Sequence, residues 1–229
     1  MASGTKSNGK VSTAPEAEVA RATAGPTVVA GSPITLPRMN IQLAQVKLVG
    51  LTPLICHRWS EKSRKEMLDK QMGKAKAAKE KKDPARDFWD SLYHLTDNPP
   101  AEHREGQRYG FPAIAFKAAA VTACTSVSGI TKVQARQAFH ISGPDNGELV
   151  EIVGVPTMRE DMVRIGMGTA DIRFRGQFTE WSTVLTIRHN ANVLTLEELL
   201  NLLKTAGFGV GVGEWRSEKD GAFGQFEPR

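Results

Sequence analysis

Residues 195–227 constrain this chain more than any other stretch. Thr195 and Glu198 stand in capping-box spacing at the start of a helix, and Leu196, Leu199, Leu200 and Leu203 recur on one stripe behind them. The stripe stops at Gly207, a residue suited to a helix C-cap, which places the helix at 195–206. Glycines then follow at 209, 211, 213, 221 and 224, with Trp215, Arg216 and Lys219 among them, before a short apolar run at 222–227 that reads as a strand. Glycine opens the left-handed backbone region and close backbone approach at an entropic cost, so such density needs compensation from packing or from a ligand. The order is helix, glycine-rich loop, strand. A dinucleotide fingerprint needs a strand before the glycines and a helix after them, and no Gly-Lys-Ser/Thr of a phosphate-binding P-loop occurs.

The 229 residues suit one domain with appendages. No apolar run approaches the roughly 18 residues of a membrane span, and the N-terminus lacks the apolar core of a signal peptide, so a cytoplasmic protein without membrane contact is expected. Cys56 and Cys124 stand alone without a CxxC, which fits a reducing compartment and speaks against a disulfide scaffold or a zinc site. HExxH, Gly-x-Ser-x-Gly and Cys/His clusters are missing, and Glu160, Asp161 and Asp171 are scattered, so no metal or other cofactor is expected. The net charge of +5 is concentrated. Between residues 58 and 86, eleven Lys/Arg face five Asp/Glu, which makes either a phosphate-attracting patch or a solvated helix face.

Residues 1–38, rich in Ala, Ser, Thr, Gly and Pro and free of aromatics, read as a flexible arm. Dense apolar content on both registers over 41–49 predicts a buried strand. Ser60 caps a weakly amphipathic, basic helix over 62–82, and Asp83-Pro84 starts a short one that buries Phe88, Trp89, Leu92 and Tyr93. A polar loop is expected over 97–110, an alanine-rich helix over 113–125 and another short helix over 131–139. Strands are expected at 149–153, 172–178 and 181–189. With 58–110 set aside as a helical insertion, the order over 39–229 becomes βαββαβ, an α+β ferredoxin-like arrangement.

The glycine-rich segment resembles the loop that follows the last helix in the RAMP superfamily, the RNA-binding subunits of CRISPR effector complexes in antiviral defence. The matching residues are Gly211-Val-Gly213 and Gly221-Ala-Phe-Gly224 over 195–227, the second pair departing from a plain Gly-x-Gly. The large insertion looks most like that of the Cas7 backbone subunit. The resemblance implies an RRM-related fold, single-stranded RNA or DNA as partner, and self-association into a filament.

Candidate site residues follow. Arg216 and Lys219 are placed to meet phosphates, while Trp215 either stacks on a base or packs beneath the loop. His57-Arg58-Trp59 after the first strand, with Lys62 beyond, forms a cationic and aromatic cluster. His57 is also a weak candidate for general acid/base chemistry, because superfamily ribonucleases carry a histidine near that place. Arg173 and Arg175 flank Phe174 and share one strand face, either a binding surface or a solvated edge. Lys132 and Arg136, four apart on a helix, make a further cationic ridge. The readings kept open are a sequence-tolerant strand-binding subunit, a metal-independent endoribonuclease, and a viral structural or assembly protein.

Overall fold

A computed structural model describes residues 36–75, 81–96, 106–165 and 168–229. All but the last three residues of the expected arm, 1–38, lie outside the described residues, as do 76–80 of the basic helix and 97–105 of the polar loop. Residues 38–229 form one compact unit.

The apolar run at 41–49 forms β1 (Ile41–Gly50), but not the buried strand expected: only Val46 and Leu48 are buried, while Ile41 and Leu43 lie exposed on the face away from the helices. Across Pro53 follows β2 (Leu54–Cys56), which is buried at every position. The Ser60 hydroxyl accepts from the Ser63 amide and starts α1 (Glu61–Gln71), a helix that buries none of its residues. Asp83 caps α2 (Pro84–Asp90), with proline in the first turn where a missing N–H does no harm. β3 (Tyr93–His94) and β4 (Tyr109–Pro112) come next, then α3 (Ala113–Ala123). A complete capping box at Thr131 and Gln134 opens α4 (Lys132–Ala138), which passes directly into β5 (Phe139–Ser142). β6 (Leu149–Ile152), β7 (Pro156–Ile165), β8 (Thr169–Phe178) and β9 (Ser182–Asn190) follow. The predicted Thr195–Glu198 box starts α5 (Leu196–Gly209), and β10 (Phe226–Pro228) closes the fold.

The chain is thus α+β with antiparallel sheets. One sheet has the order β10-β1-β9-β5, a second β2-β8-β7 and a third β3-β4-β6, and every pairing is antiparallel. On the inner face of the first sheet, Val46, Leu48, Leu185, Ile187, Phe139 and Phe226 are buried against α3 and α5. The small side chains of Ala119, Ala120 and Ala123 let α3 approach closely, while Phe116 fills the space before Trp181 and Phe226. Phe116 meets Phe226 edge-on at 5.7 Å, an arrangement the ring quadrupoles favour.

Several expectations change. The basic helix expected over 62–82 ends at Gln71, and Phe139, expected in a helix, opens β5. The strand at 149–153 was assigned to the sheet of the first strand, but β6 pairs with β4. Its expected place beside β9 is taken by β5, whose Phe139 buries itself opposite His189. The buried stripe of α5 is Leu199, Leu202, Leu203 and Ala206, so Leu196 and Leu200 turn toward the flank of the helix. Gly207 is not the cap, because the helix runs to Gly209. A Cβ on Gly207 would meet the Phe226 carbonyl, so its role is close approach of helix to strand.

Candidate nucleic-acid interface

The loop from Val210 to Gln225 is tied down along its length. Val212 donates to the Gly224 carbonyl at 2.9 Å, Gly224 to the Pro53 carbonyl at 2.8 Å, and Glu214 to the Ile55 carbonyl at 3.1 Å. The Thr52 hydroxyl takes the Gln225 amide at 2.9 Å. Val210 and Val212 are buried beneath the turn. Gly213 has φ +83°, and a Cβ there would lie 2.6 Å from the Ile55 carbonyl oxygen, so the loop and β2 can touch only through glycine. Gly211 packs against Gly224, and Gly221 lies against the Trp215 carbonyl. The glycines therefore set a fixed turn, in which backbone pairing and buried valines compensate their entropy.

That turn holds Trp215 in a left-handed conformation at φ +52° with 46% of its surface exposed. The left-handed region costs a non-glycine residue roughly 1–2 kcal/mol. Arg216 is already engaged: Nε and Nη2 donate to Glu218 Oε2 at 3.0 and 2.7 Å, and Nη1 to the Gly213 carbonyl at 3.3 Å. Lys219 is exposed and has no ion-pair partner among the described residues.

Behind the loop runs a chain of charges that joins three segments. Glu214 Oε1 lies 3.5 Å from His57 Nδ1, and its Oε2 lies 4.0 Å from Arg175 Nη2. Arg175 Nη1 donates to Asp161 Oδ2 at 3.2 Å, while Asp161 Oδ1 accepts from Arg159 Nε at 2.8 Å. The Arg159 guanidinium then stacks over Phe223 at 4.8 Å. The His57 contact, helped by Arg175, holds the Glu214 carboxyl below the usual carboxylate range. Burial lifts the Tyr93 hydroxyl, with the Glu214 carboxylate adding to the rise.

The structure brings His57 to Glu214, and so brings the segment after β2 to the glycine loop. Arg58, half-buried, donates its backbone amide to the Ser91 carbonyl at 2.8 Å, which fixes this segment on the end of α2. Trp59 stands 54% exposed, and Lys62 is half-buried at the start of α1. Arg175 corrects the expectation of an open basic face. It is 4% exposed, because β2 pairs alongside β8 and the glycine loop sets Glu214 beside it, so its charge faces carboxylates. Arg173 stays half-exposed, with Asp171 at 3.7 Å. Lys132 and Arg136 lie on α4, which packs on α3 and β5, at the sheet edge opposite the strand that the glycine loop feeds.

Sequence reasoning passed over Glu214, Asp161, Arg159 and Phe223. Glu214, between two glycines and Trp215, was the one visible in its neighbourhood. Asp161 looked scattered beside Glu160 and Asp171, and Arg159 drew no reading, because only the β7–β8 register sets them near Arg175 and Gln177.

No family model matches the chain, and no curated protein does. Among solved structures the chain is similar to the crystal structure of Cmr6 from Pyrococcus furiosus, at 9% identity over 84% of this chain and 100% of that one. The TM-score of 0.38 is too low for the likeness to carry an argument.

Proposed function

We propose that this protein binds single-stranded nucleic acid, RNA before DNA, in a sequence-tolerant way, as a RAMP-like, Cas7-like subunit that works in several copies. One observation carries the reading: Trp215 is held exposed at a positive φ, on a loop that touches the segment bearing exposed Trp59. Exposed indole surface is unfavourable for the free protein, and base stacking covers it, while the positive φ is an outlier of the kind that collects at binding sites. Lys219, and Arg58 beside Trp59, supply cations for the phosphates between stacked bases. Gly211, Gly213, Gly221 and Gly224 serve this reading by fixing the turn that presents Trp215, since a Cβ on each would meet the protein's own backbone.

The ferredoxin-like reading is supported by the sheet order β10-β1-β9-β5, with α3 lying between β1 and β5 in the chain and α5 between β9 and β10. Self-association is supported by α1. An isolated helix shorter than about 12–15 residues is marginal in water, yet this 11-residue one buries nothing and exposes Met67 and Leu68. A neighbouring subunit would cover it.

The test is fluorescence anisotropy of labelled single strands over a salt series. Each of Trp59→Ala and Trp215→Ala weakens binding by about 1–3 kcal/mol, or roughly 5- to 150-fold, on every sequence. Arg216→Ala with Lys219→Ala, leaving affinity unchanged, would remove the loop from the site. A second reading, metal-independent cleavage, draws on the Glu214 carboxylate at His57 Nδ1, which would orient the ring and leave Nε2 for proton transfer. Cleavage retained in His57→Ala rules that residue out.

A further inference from the structure

A second cationic surface lies at the β5 edge of the four-stranded sheet. The helices cover one face of that sheet, and among the described residues the other leaves Leu43 66% and Val184 52% exposed. Strand alternation sets Leu43, Arg188 and His140 in one row of this open face across β1, β9 and β5. Gln45, Thr186 and Ser142 form the next row, with Lys47 and Val184 beyond it. From α3, Lys117 reaches round the edge. Its Nζ lies 3.3 Å from His140 Nδ1 and donates to the Arg136 carbonyl at 3.0 Å. Lys117, His140 and Arg188 therefore meet where α4 delivers Arg136, and Lys132 lies one turn earlier.

No acid among the described residues answers these cations. Among the described residues none of Lys47, Lys117, Lys132, Arg136 and Arg188 has an ion-pair partner. Glu227, on the outer face of β10, is engaged by Arg229 at 3.0 Å. Like-charged or potentially like-charged side chains directly opposite each other on neighbouring strands destabilise a sheet. Burial, Lys117 and Arg188 together push the His140 imidazole below its ordinary value. The fold thus keeps an electrostatic conflict that a bound anion relieves. The neighbouring Gln45, Thr186 and Ser142 offer hydrogen bonds, and the row contains no aromatic ring. That chemistry suits phosphate and sugar rather than base stacking.

We infer that Lys117, His140 and Arg188, at the sheet edge opposite β10, together with Lys47 on β1 across the open face, form a second phosphate-binding track for a nucleic-acid strand. The inference rests on the strand-binding reading above for its ligand class, but on different residues. A phosphate at this edge also favours protonated His140, whose facing groups are Lys117 from α3, Arg188 from β9 and the Arg136 carbonyl from α4. Affinity should then rise as pH falls below the ordinary histidine value, toward the depressed range in which His140 takes up its proton.

The experiment titrates the full chain with a labelled oligouridine strand, with a mixed-sequence DNA strand as second probe, from about 50 to about 200 mM salt. Lys117→Ala with Arg188→Ala should weaken binding to both probes alike and flatten the slope of log K against log salt by about 1.4, at about 0.7 per lost phosphate contact. Arg188→Gln and Lys47→Gln, both at exposed positions, should each flatten it by about 0.7 if the double variant melts early. His140→Gln should abolish the part of the pH dependence that this edge supplies. Wild-type binding with an unchanged slope in these variants overturns the second track and leaves the glycine-loop site standing. A wild type that binds neither probe at low salt overturns both. An acidic peptide of equal charge that binds as tightly, with the same losses in the variants, overturns the assignment to nucleic acid.

Discussion

Replacing Asp161 by alanine would strand the guanidinium of Arg175. Both side chains are buried, and Asp161 accepts from Arg175 Nη1 at 3.2 Å and from Arg159 Nε at 2.8 Å. Without Asp161, Arg175 keeps only Glu214, 4.0 Å away, half-exposed and shared with His57. Its Nε is already buried without a partner. Removing one member of a buried ion pair costs about 3–5 kcal/mol, mostly because the other charge is left desolvated. The remaining Glu214 contact places this case near the lower end, about 3 kcal/mol. For a domain of this size each kcal/mol lowers Tm by about 2–4 °C, so a fall of roughly 6–12 °C is expected. Asp161→Leu with Arg175→Met removes both charges and should lie within about 1 kcal/mol of wild type, since a well-packed apolar pair replaces a buried ion pair at little loss. Urea and thermal unfolding followed by circular dichroism measure both variants. A loss under about 1 kcal/mol for Asp161→Ala, or a double variant as unstable as the single, would refute the account of Arg175 as a buried charge held by Asp161.

Gly213→Ala must place a Cβ 2.6 Å from the Ile55 carbonyl at φ +83°, so it should lower stability by more than 1 kcal/mol and expose the loop to protease, as limited proteolysis would record. Phe226→Ala empties a site that is 1% exposed and shared with Phe116 and Trp181, and should cost about 3–5 kcal/mol in urea unfolding. The Glu151 carboxyl, through its hydrogen bonds to Arg108, and the Glu214 carboxyl, through His57, sit below their ordinary value of 4.5. Their contribution is therefore present above pH 4.5 and is lost as pH falls through the depressed values, so stability should drop on acidification below about 4.5. Glu151→Gln and Glu214→Gln should each flatten that drop, and an unaltered acid limb would discount them.

Local signals wrote much of this fold into the chain. The caps at Ser60, Asp83 and Thr195 each start the helix they predict, because the capping oxygen and the amide it serves lie three residues apart; the like cap at Thr131 was not read from the sequence. The dense apolar pattern of β1 and the β-branched run of β9 likewise marked strands that pair along nine residues. Strand partnership was not legible in the same way. β5 and β6 are both short apolar runs, and nothing within either says that Phe139 rather than Leu149 lies beside β9. That choice depends on how α3 and α4 return the chain to the sheet. The same reason hid the site. Trp215, Arg216 and Lys219 were visible as neighbours in sequence, whereas the Glu214–Arg175–Asp161 chain joins residues 161, 175 and 214 only through the β7–β8 register and the contact of the loop with β2.

The sequence by itself determined where the capped helices begin, that 41–49, 149–153, 172–178 and 181–189 are extended, and that the glycine-rich segment lies between a helix and a strand. Tertiary structure alone decided that Arg175 is buried and neutralised, that the glycines form a fixed turn, and that Lys117, His140 and Arg188 converge without an acid. The physical reason is range. Caps and periodicity act over a few residues along the chain, whereas burial of charge depends on which distant strand the backbone hydrogen bonds bring alongside.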